Sequence, residues 1–219
     1  MSDTLYVQLL DLACGAFLLA GVLVLWRRDL VAIVRLFAFQ GAALGVLVAV
    51  LGVHESDAEV VGLAVAVGSL RAVVLPWLLR RALAAGGGGR EAEPLVNVAA
   101  SLVVAALLAL LAYAVTRPVV ALDPSPAAHA VPVALTVVLV GFFVLVTRRR
   151  ALSQVVGFLL VDNGITAVAF LTTSGVPLIV EGGVSLDVLL AVLVLHLLTA
   201  RIRAAFGDTD LDDLRELRD

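Results

Sequence analysis

Residues 153–173 read SQVVGFLLVDNGITAVAFLTT, a mostly apolar run. A helix rises about 1.5 Å per residue, so the run is long enough to cross a hydrocarbon core of about 30 Å. Asp162 and Asn163 nevertheless lie near its middle. A carboxylate at that depth is costly and normally faces a bundle interior or a water path. Two interpretations stay open: a structural carboxylate paired with a buried cation, and a proton-carrying site.

The composition of the chain is that of a membrane protein. Of its 219 residues, 62% are hydrophobic and 15% are charged, whereas soluble domains are about 45–50% apolar and about 25% charged. The single cysteine, Cys14, excludes an internal disulfide and a thiolate metal cluster. The start, MSDTLYVQLL, lacks the basic region of a signal peptide, so we predict a retained first span.

Seven apolar stretches have spanning length and predict an all-α fold, a polytopic membrane bundle of seven transmembrane helices. They cover residues 5–26, 30–53, 60–83, 95–116, 131–147, 152–173 and 184–202. Arginines flank one face and acidic residues the other. The positive-inside rule then places the N-terminus outside and the C-terminus in the cytoplasm. We therefore expect a multi-pass membrane protein. The flanking arginines of the inner face are Arg27, Arg28, Arg80, Arg81, Arg90, Arg148, Arg149, Arg150, Arg201 and Arg203.

The sequence divides into five predicted parts. Residues 1–85 form an N-terminal three-helix membrane segment, and residues 86–94 a Gly-rich cytoplasmic linker. Residues 95–128 hold the fourth helix and an outer loop, which prolines mark as residues 117–129. Residues 129–205 form a second three-helix unit. The cytoplasmic tail, residues 206–219, spaces its leucines as a short amphipathic helix that can lie against a partner.

Polar residues at matching depth predict a buried contact. Counted from the same face, Arg71 lies about 18 Å deep in the third helix and Asp162 about 15 Å deep in the sixth. An unpaired guanidinium there is costly, so we expect Arg71 to pair with Asp162. Gln40 lies at comparable depth in the second helix, where glutamine typically bonds between helices. Pro76, five residues after Arg71, predicts a kink beside this pair.

The seventh stretch carries further ionisable residues. Glu181 lies at its outer side, and Asp187 lies one turn inside its outer end. His196 is nine residues further on, which turns it to the opposite side of the helix. The candidate proton path, or buried polar network, therefore comprises Asp162, Asn163, Arg71, Gln40, Asp187, Glu181 and His196.

No motif of a soluble enzyme is present in the sequence. There is no dinucleotide fingerprint, phosphate loop, nucleophile elbow or cysteine and histidine ligand set. We therefore expect no catalytic site, cofactor or metal in this chain itself. The partners that fit are the lipid bilayer and other membrane proteins, not nucleic acid.

Several runs resemble a known family. SQVVGFLLVDNGITAVAF, PLIVEGGVSLDVLLAVLVLHLLTARI and the tail DLDDLRELRD resemble membrane component E of hydrogenase-4-type complexes. Residues 129–205 also resemble the K subunit of respiratory complex I. Upstream, FAFQG and SLRAVVLPWLLRR resemble the second and third helices of the component E family.

The resemblance implies a non-catalytic membrane subunit of a complex-I-like or group 4 hydrogenase-type oxidoreductase assembly. It implies antiporter-like and anchor membrane subunits and a cytoplasmic redox arm as partners, and a part in proton or cation translocation. The Glu-Asn pair of the family maps onto Asp162 and Asn163, and its mid-helix lysine onto Arg71. Both are departures, because Asp is shorter by one methylene and Arg holds its proton more firmly than Lys.

Two alternatives remain beside an ion-translocation subunit. One is a structural membrane anchor subunit without conduction, which the firmly charged Arg71 favours. The other is a subunit of a multisubunit cation/proton antiporter, which shares the K-like unit but leaves the first four helices unexplained.

Overall fold

The computed structural model describes residues 1–85 and 96–173, and most of these residues lie in helices. Helix α1 is Asp3–Trp26 and α2 is Leu30–Glu55. The next span consists of α3 (Ala58–Ser69), a π-helical turn (Leu70–Val74) and α4 (Leu75–Ala85). Then follow α5 (Val98–Leu122), α6 (Pro126–Thr147) and α7 (Ala151–Thr173).

Six of the described segments are long and apolar enough to cross a membrane, counting α3, the π turn and α4 as one. The prediction of an all-helical, multi-span chain is confirmed in this form. The seventh predicted span (184–202), the linker (86–94) and the tail (206–219) lie outside the described residues, as do Glu181, Asp187 and His196.

Side chains at the helix starts satisfy backbone N–H groups that have no partner inside a helix. The Asp29 carboxylate accepts from Val31 at 3.2 Å at the start of α2. Asp57 accepts from Glu59 at 2.8 Å at the start of α3. The links after α1, α2, α5 and α6 are short, so the two spans that each of these links joins run antiparallel. The bundle therefore has an arginine end, where α1 and α6 end, and an acidic end, where α2 ends and α3 begins.

The link between α5 and α6 is much shorter than the predicted outer loop. Helix α5 continues through Pro118 to Leu122, and α6 begins at Pro126. Pro126 occupies the first helical position, where a missing N–H costs nothing. The hydroxyl of Ser125 caps this helix by accepting from the Ala128 N–H at 3.1 Å. The prolines at 118 and 126 thus lie within helices, and the prediction of a loop over 117–129 is wrong.

Glycines bring two helix pairs into backbone contact. A Cβ on Gly45 of α2 would lie 2.8 Å from the Cα of Gly68 in α3. On the other side of the bundle, a Cβ on Gly141 of α6 would lie 2.7 Å from the Val161 nitrogen of α7. Small residues allow membrane helices to pack this closely. Because α2 also contacts α7, the third span and α7 are both held against α2.

Candidate ion-pair site

The third span carries a π-helical turn where Arg71 lies. Here the Leu75 N–H donates to the Leu70 carbonyl, five residues back. Pro76 follows directly, has no N–H and would clash with the carbonyl four residues earlier in a regular helix. A wider turn before a proline relieves that clash, and such turns are frequent at functional sites. The distortion that the structure shows at Arg71 is thus a π turn, and the predicted kink stays a prediction.

The guanidinium of Arg71 contacts three side chains of α7. Its Nη1 lies 2.7 Å from Asp162 Oδ2, which is the predicted ion pair. The same nitrogen donates to Asn163 Oδ1, and Nη2 donates to Thr166 Oγ1 at 2.9 Å. The planar fork of arginine suits such multiple acceptors, whereas a lysine is a single point charge. Arg71 thereby joins the third span to α7.

An amide relay extends this cluster to α2 and α1. The side-chain nitrogen of Asn163 donates to Gln40 Oε1 at 3.0 Å. The Gln40 nitrogen in turn points to the Phe17 carbonyl of α1, at 3.4 Å. Gln40 therefore does bond between helices, as the sequence predicted. We call Gln40, Arg71, Asp162, Asn163 and Thr166 the polar network.

Every member of the polar network is buried. Arg71 is 1% exposed and Gln40 is 0% exposed, while Asp162 is 8% exposed. An arginine cannot be deprotonated in a protein, so Arg71 supplies a fixed positive charge. Asp162 is the member of the network whose charge is able to change. It is also the member with the largest exposed fraction.

The sequence did not indicate Thr166 as a member. Its hydroxyl accepts from Arg71 and donates to the Asp162 carbonyl at 2.9 Å, one turn back on α7. A threonine in a helix commonly bonds back to the carbonyl four residues earlier, whatever residue stands there. The usable signal was the spacing of four from Asp162, which places both residues on one face of α7. Of the predicted network, four residues come together here, and the other three lie outside the described residues.

Arg148 has a role that the sequence did not indicate. The sequence predicts a charge that flanks the membrane face, but the structure buries Arg148 at the end of α6. Its Nη2 donates to the carbonyls of Val24 and Leu25 at 3.0 Å and to that of Arg27 at 3.2 Å. Helix C-termini leave such carbonyls without intrahelical donors and favour a cation. Arg148 thus fastens the end of α1 to the junction of α6 and α7.

We expect Arg148→Gln to lower the free energy of unfolding by about 1–3 kcal/mol, because buried carbonyls lose a charged donor. The measurement is unfolding of the purified chain in mixed micelles. Arg149→Gln is the matched control, since Arg149 is the exposed neighbour and loses the same charge. Equal losses in the two variants would contradict the capping role.

Acidic, histidine and cysteine side chains do not gather into a group of three or more that could hold a metal ion within 1–85 and 96–173. The chemistry available at the polar network is therefore that of a fixed guanidinium, one carboxylate and neutral hydrogen-bonding groups. Such a set can bind or release one proton or stabilise one small cation at Asp162.

Comparison with known proteins identifies a relative that matches the whole chain. It is "Uncharacterized protein Rv0085" of Mycobacterium tuberculosis, 55% identical over 220 residues, which cover 100% of both chains. The present chain belongs to the Rv0085 family. No family model and no solved structure matches it.

This member of the Rv0085 family is also similar to hydrogenase-4 component E. The identity is 34% over 114 residues for the Escherichia coli K12 protein and for that of Shigella flexneri. The aligned part covers 52% of this chain and 53% of each of those proteins. The relatedness expected from the sequence is thus supported over about half the chain, and the likeness to the K subunit of complex I stays a prediction.

Proposed function

We propose that this chain is a membrane subunit of a hydrogenase-type, complex-I-like assembly in a prokaryotic plasma membrane, and that Asp162 is its proton- or cation-binding group. The observation that carries the proposal is the buried pair of Arg71 and Asp162, embedded in neutral amide and hydroxyl groups. Intramembrane ionisable residues are expensive and usually mark ion pathways. The likeness to hydrogenase-4 component E supports the kind of complex.

The proposed mechanism uses Arg71 as a fixed counter-charge. While Asp162 is ionised, Arg71 holds it at 2.7 Å. When a proton or cation reaches the carboxylate, the attraction weakens, and Arg71 still has acceptors in Asn163 and Thr166. Asp162 is then free to turn toward the outside of the bundle, where it has its residual exposure. The neutral side chains thereby keep Arg71 satisfied in both charge states.

We further propose seven spans, with the arginine end in the cytoplasm and the N-terminus outside. The arginines at the ends of α1 and α6 favour this orientation. In this arrangement antiporter-like and anchor subunits pack beside the chain, and a redox arm lies on the cytoplasmic side. A reporter fused at Asp57 should be external, and a cytoplasmic signal there would reverse the orientation.

The test of ion binding uses the intact complex in lipid vesicles with hydrogen as electron donor. Asp162→Asn should leave redox turnover in place and lower the coupled ion uptake on the order of a hundredfold, as for removal of a positioned proton-transfer group. Asp162→Glu keeps a carboxylate on a longer arm and should retain much of the uptake. Normal uptake by Asp162→Asn would refute the proposal.

A structural anchor is the second candidate function, because the direct contact of Arg71 with Asp162 joins the third span to α7. The double variant Arg71→Gln/Asp162→Asn separates the two functions, since it removes both charges together. If the pair is only structural, this variant should assemble and take up ions normally. If Asp162 binds the ion, it should assemble without ion uptake.

A further inference from the structure

Helix α1 has two faces of different character. Tyr6, Leu10, Ala13, Cys14 and Phe17 are buried against the bundle. The opposite face is a stripe of exposed residues at intervals of three and four, and we call it the α1 stripe. It comprises Gln8, Asp11, Leu12, Gly15 and Leu19. These intervals place all five on one side of the helix.

Asp11 lies inside the bundle's acidic end, toward the middle of the membrane. Tyr6 stacks on His54 with ring centroids 3.8 Å apart, so Tyr6 is level with the last turn of α2. Asp11 is five residues further along α1, or about 7–8 Å deeper. Its side chain is exposed, and no ion pair joins it to the residues of the described ranges. A bare carboxylate facing lipid at this depth is costly.

The position of Asp11 also differs from that of exposed arginines in the spans. Arg35 and Arg117 are exposed in α2 and α5. Their long side chains can keep the charged head in water while the stem lies along apolar surface. An aspartate is too short to do so. Within the described residues Asp11 has no ion pair, so a cationic partner at its own depth would stabilise it.

Gly15 gives the α1 stripe the shape of a helix-docking surface. No atom lies within 4 Å of the position that a Cβ would take there. Gly15 lies one turn from Asp11, so a second helix can come close to the α1 backbone beside the carboxylate. The Gln8 amide, one turn toward the acidic end, adds a donor and an acceptor.

We propose that the α1 stripe binds a membrane helix of another subunit, and that this helix presents a lysine or an arginine to Asp11. The inference rests on the proposal that the chain belongs to a multisubunit complex, and it does not depend on ion transport through Asp162. Charge complementarity favours a basic residue as the partner. A carboxylate that faces lipid is costly, and so is a lysine or an arginine in a partner helix, whereas the two charges together neutralise each other.

A second copy of this chain fits less well. Arg35 is five residues from the start of α2, at the arginine end, whereas Asp11 is near the acidic end. About 20 Å along the bundle separates them, so parallel copies cannot pair these two residues. Arg117 lies nearer to the level of Asp11 and reaches the interface by itself. Pairing through Arg117 of another copy is tested below.

The experiment places a photo-cross-linking amino acid at Leu12, which is 71% exposed and adjacent to Asp11 on the α1 stripe. The intact complex is irradiated in native membranes, and the cross-linked peptide is identified by mass spectrometry. The expected product joins position 12 to a membrane helix of another subunit that has a lysine or an arginine within one turn of the cross-linked residue. The same probe at Val65, 66% exposed on α3, is the control position.

Two substitutions then test the chemistry of the contact. Asp11→Lys creates a like-charge contact and should lower the cross-link yield at Leu12 at least about tenfold, whereas Asp11→Glu should preserve it. Gly15→Leu should also lower the yield by blocking close approach. Gly62→Leu is its matched control, because Gly62 of α3 is likewise exposed with an open Cβ position.

The outcomes are distinct. A product with lipid alone, with a second copy or with residues 174–219 of the same chain, or a yield unchanged by both Asp11→Lys and Gly15→Leu, overturns the proposal. If Asp11→Lys does not fold, the Gly15→Leu and Gly62→Leu pair decides. Loss of ion coupling is measured with Asp162 variants, so a cross-link to a partner that persists in Asp162→Asn supports this contact whichever function Asp162 has.

Discussion

Arg71→Leu is expected to lower the free energy of unfolding of the purified chain by about 3 kcal/mol, the range for breaking a buried ion pair or leaving a charge at bilayer depth. The substitution removes the donor for Asp162, Asn163 and Thr166 at once. The leucine fills much of the volume of the arginine. The decrease in the free energy of unfolding therefore reflects the buried acceptors that have lost their donor, and not a large cavity. Reversible unfolding in mixed micelles measures it.

The double variant Arg71→Leu/Asp162→Leu is the decisive control for this result. Replacing both partners of a buried pair by apolar residues is often neutral or stabilising, whereas removing one leaves an uncompensated charge. We therefore expect the double variant to be more stable than Arg71→Leu alone. The stability of Arg71→Lys should lie between those of the parent and Arg71→Leu, because the single ammonium group of lysine cannot reach all three acceptors as the arginine fork does. A double variant that loses the sum of the two single losses would show that the charges are not coupled.

The ion pair was predictable from sequence because it depends mainly on how deep each of the two residues lies in the membrane. Counting residues from the arginine end places Arg71 and Asp162 within one turn of each other. The high cost of a lone charge in lipid then leaves few solutions. The same reasoning predicted that Gln40 bonds between helices, and its amide does accept from Asn163.

Features that depend on helix rotation or on tertiary contacts were not predictable in this way. Arg148 reads as a flanking charge in sequence, and only the approach of α6 to α1 shows that it caps carbonyls. The helices around Pro118 and Pro126 were missed for a different reason. Proline is a reliable stop signal in water, but in these positions it lies inside α5 and at the first residue of α6.

The π turn was only partly predictable from the sequence. Pro76 made an irregularity predictable, but not the form that it takes. The structure shows that the wide turn places the Arg71 backbone directly against Gly41 of α2. The position of the guanidinium thus depends on a residue that carries no polar side chain. Chemistry at Asp162 and packing at Gly41 are therefore expected to be linked.

Gly41→Ala is expected to destabilise the chain and to displace Arg71. A Cβ at this position would lie 2.6 Å from both the carbonyl carbon and the carbonyl oxygen of Arg71, and 2.9 Å from the Ala72 nitrogen. These are backbone atoms and cannot rotate away, so α2 and the π turn must separate. Overpacking of this kind costs about 1–3 kcal/mol. Unfolding in mixed micelles gives the loss, and ion uptake by the vesicle-reconstituted complex gives the effect on Asp162.

Gly62→Ala is the matched control, because Gly62 lies in the same span as Arg71 and nothing lies within 4 Å of its Cβ position. Alanine is favoured over glycine in a helix by about 1 kcal/mol, so this variant should be as stable as the parent or more stable. Gly41→Ala gains the same helix preference and must still lose stability if the close approach is real. We also expect its ion uptake to fall while that of Gly62→Ala is unchanged, since a shifted π turn carries Arg71 away from Asp162. Equal stability of the two alanine variants would show that α2 and the π turn are not in backbone contact.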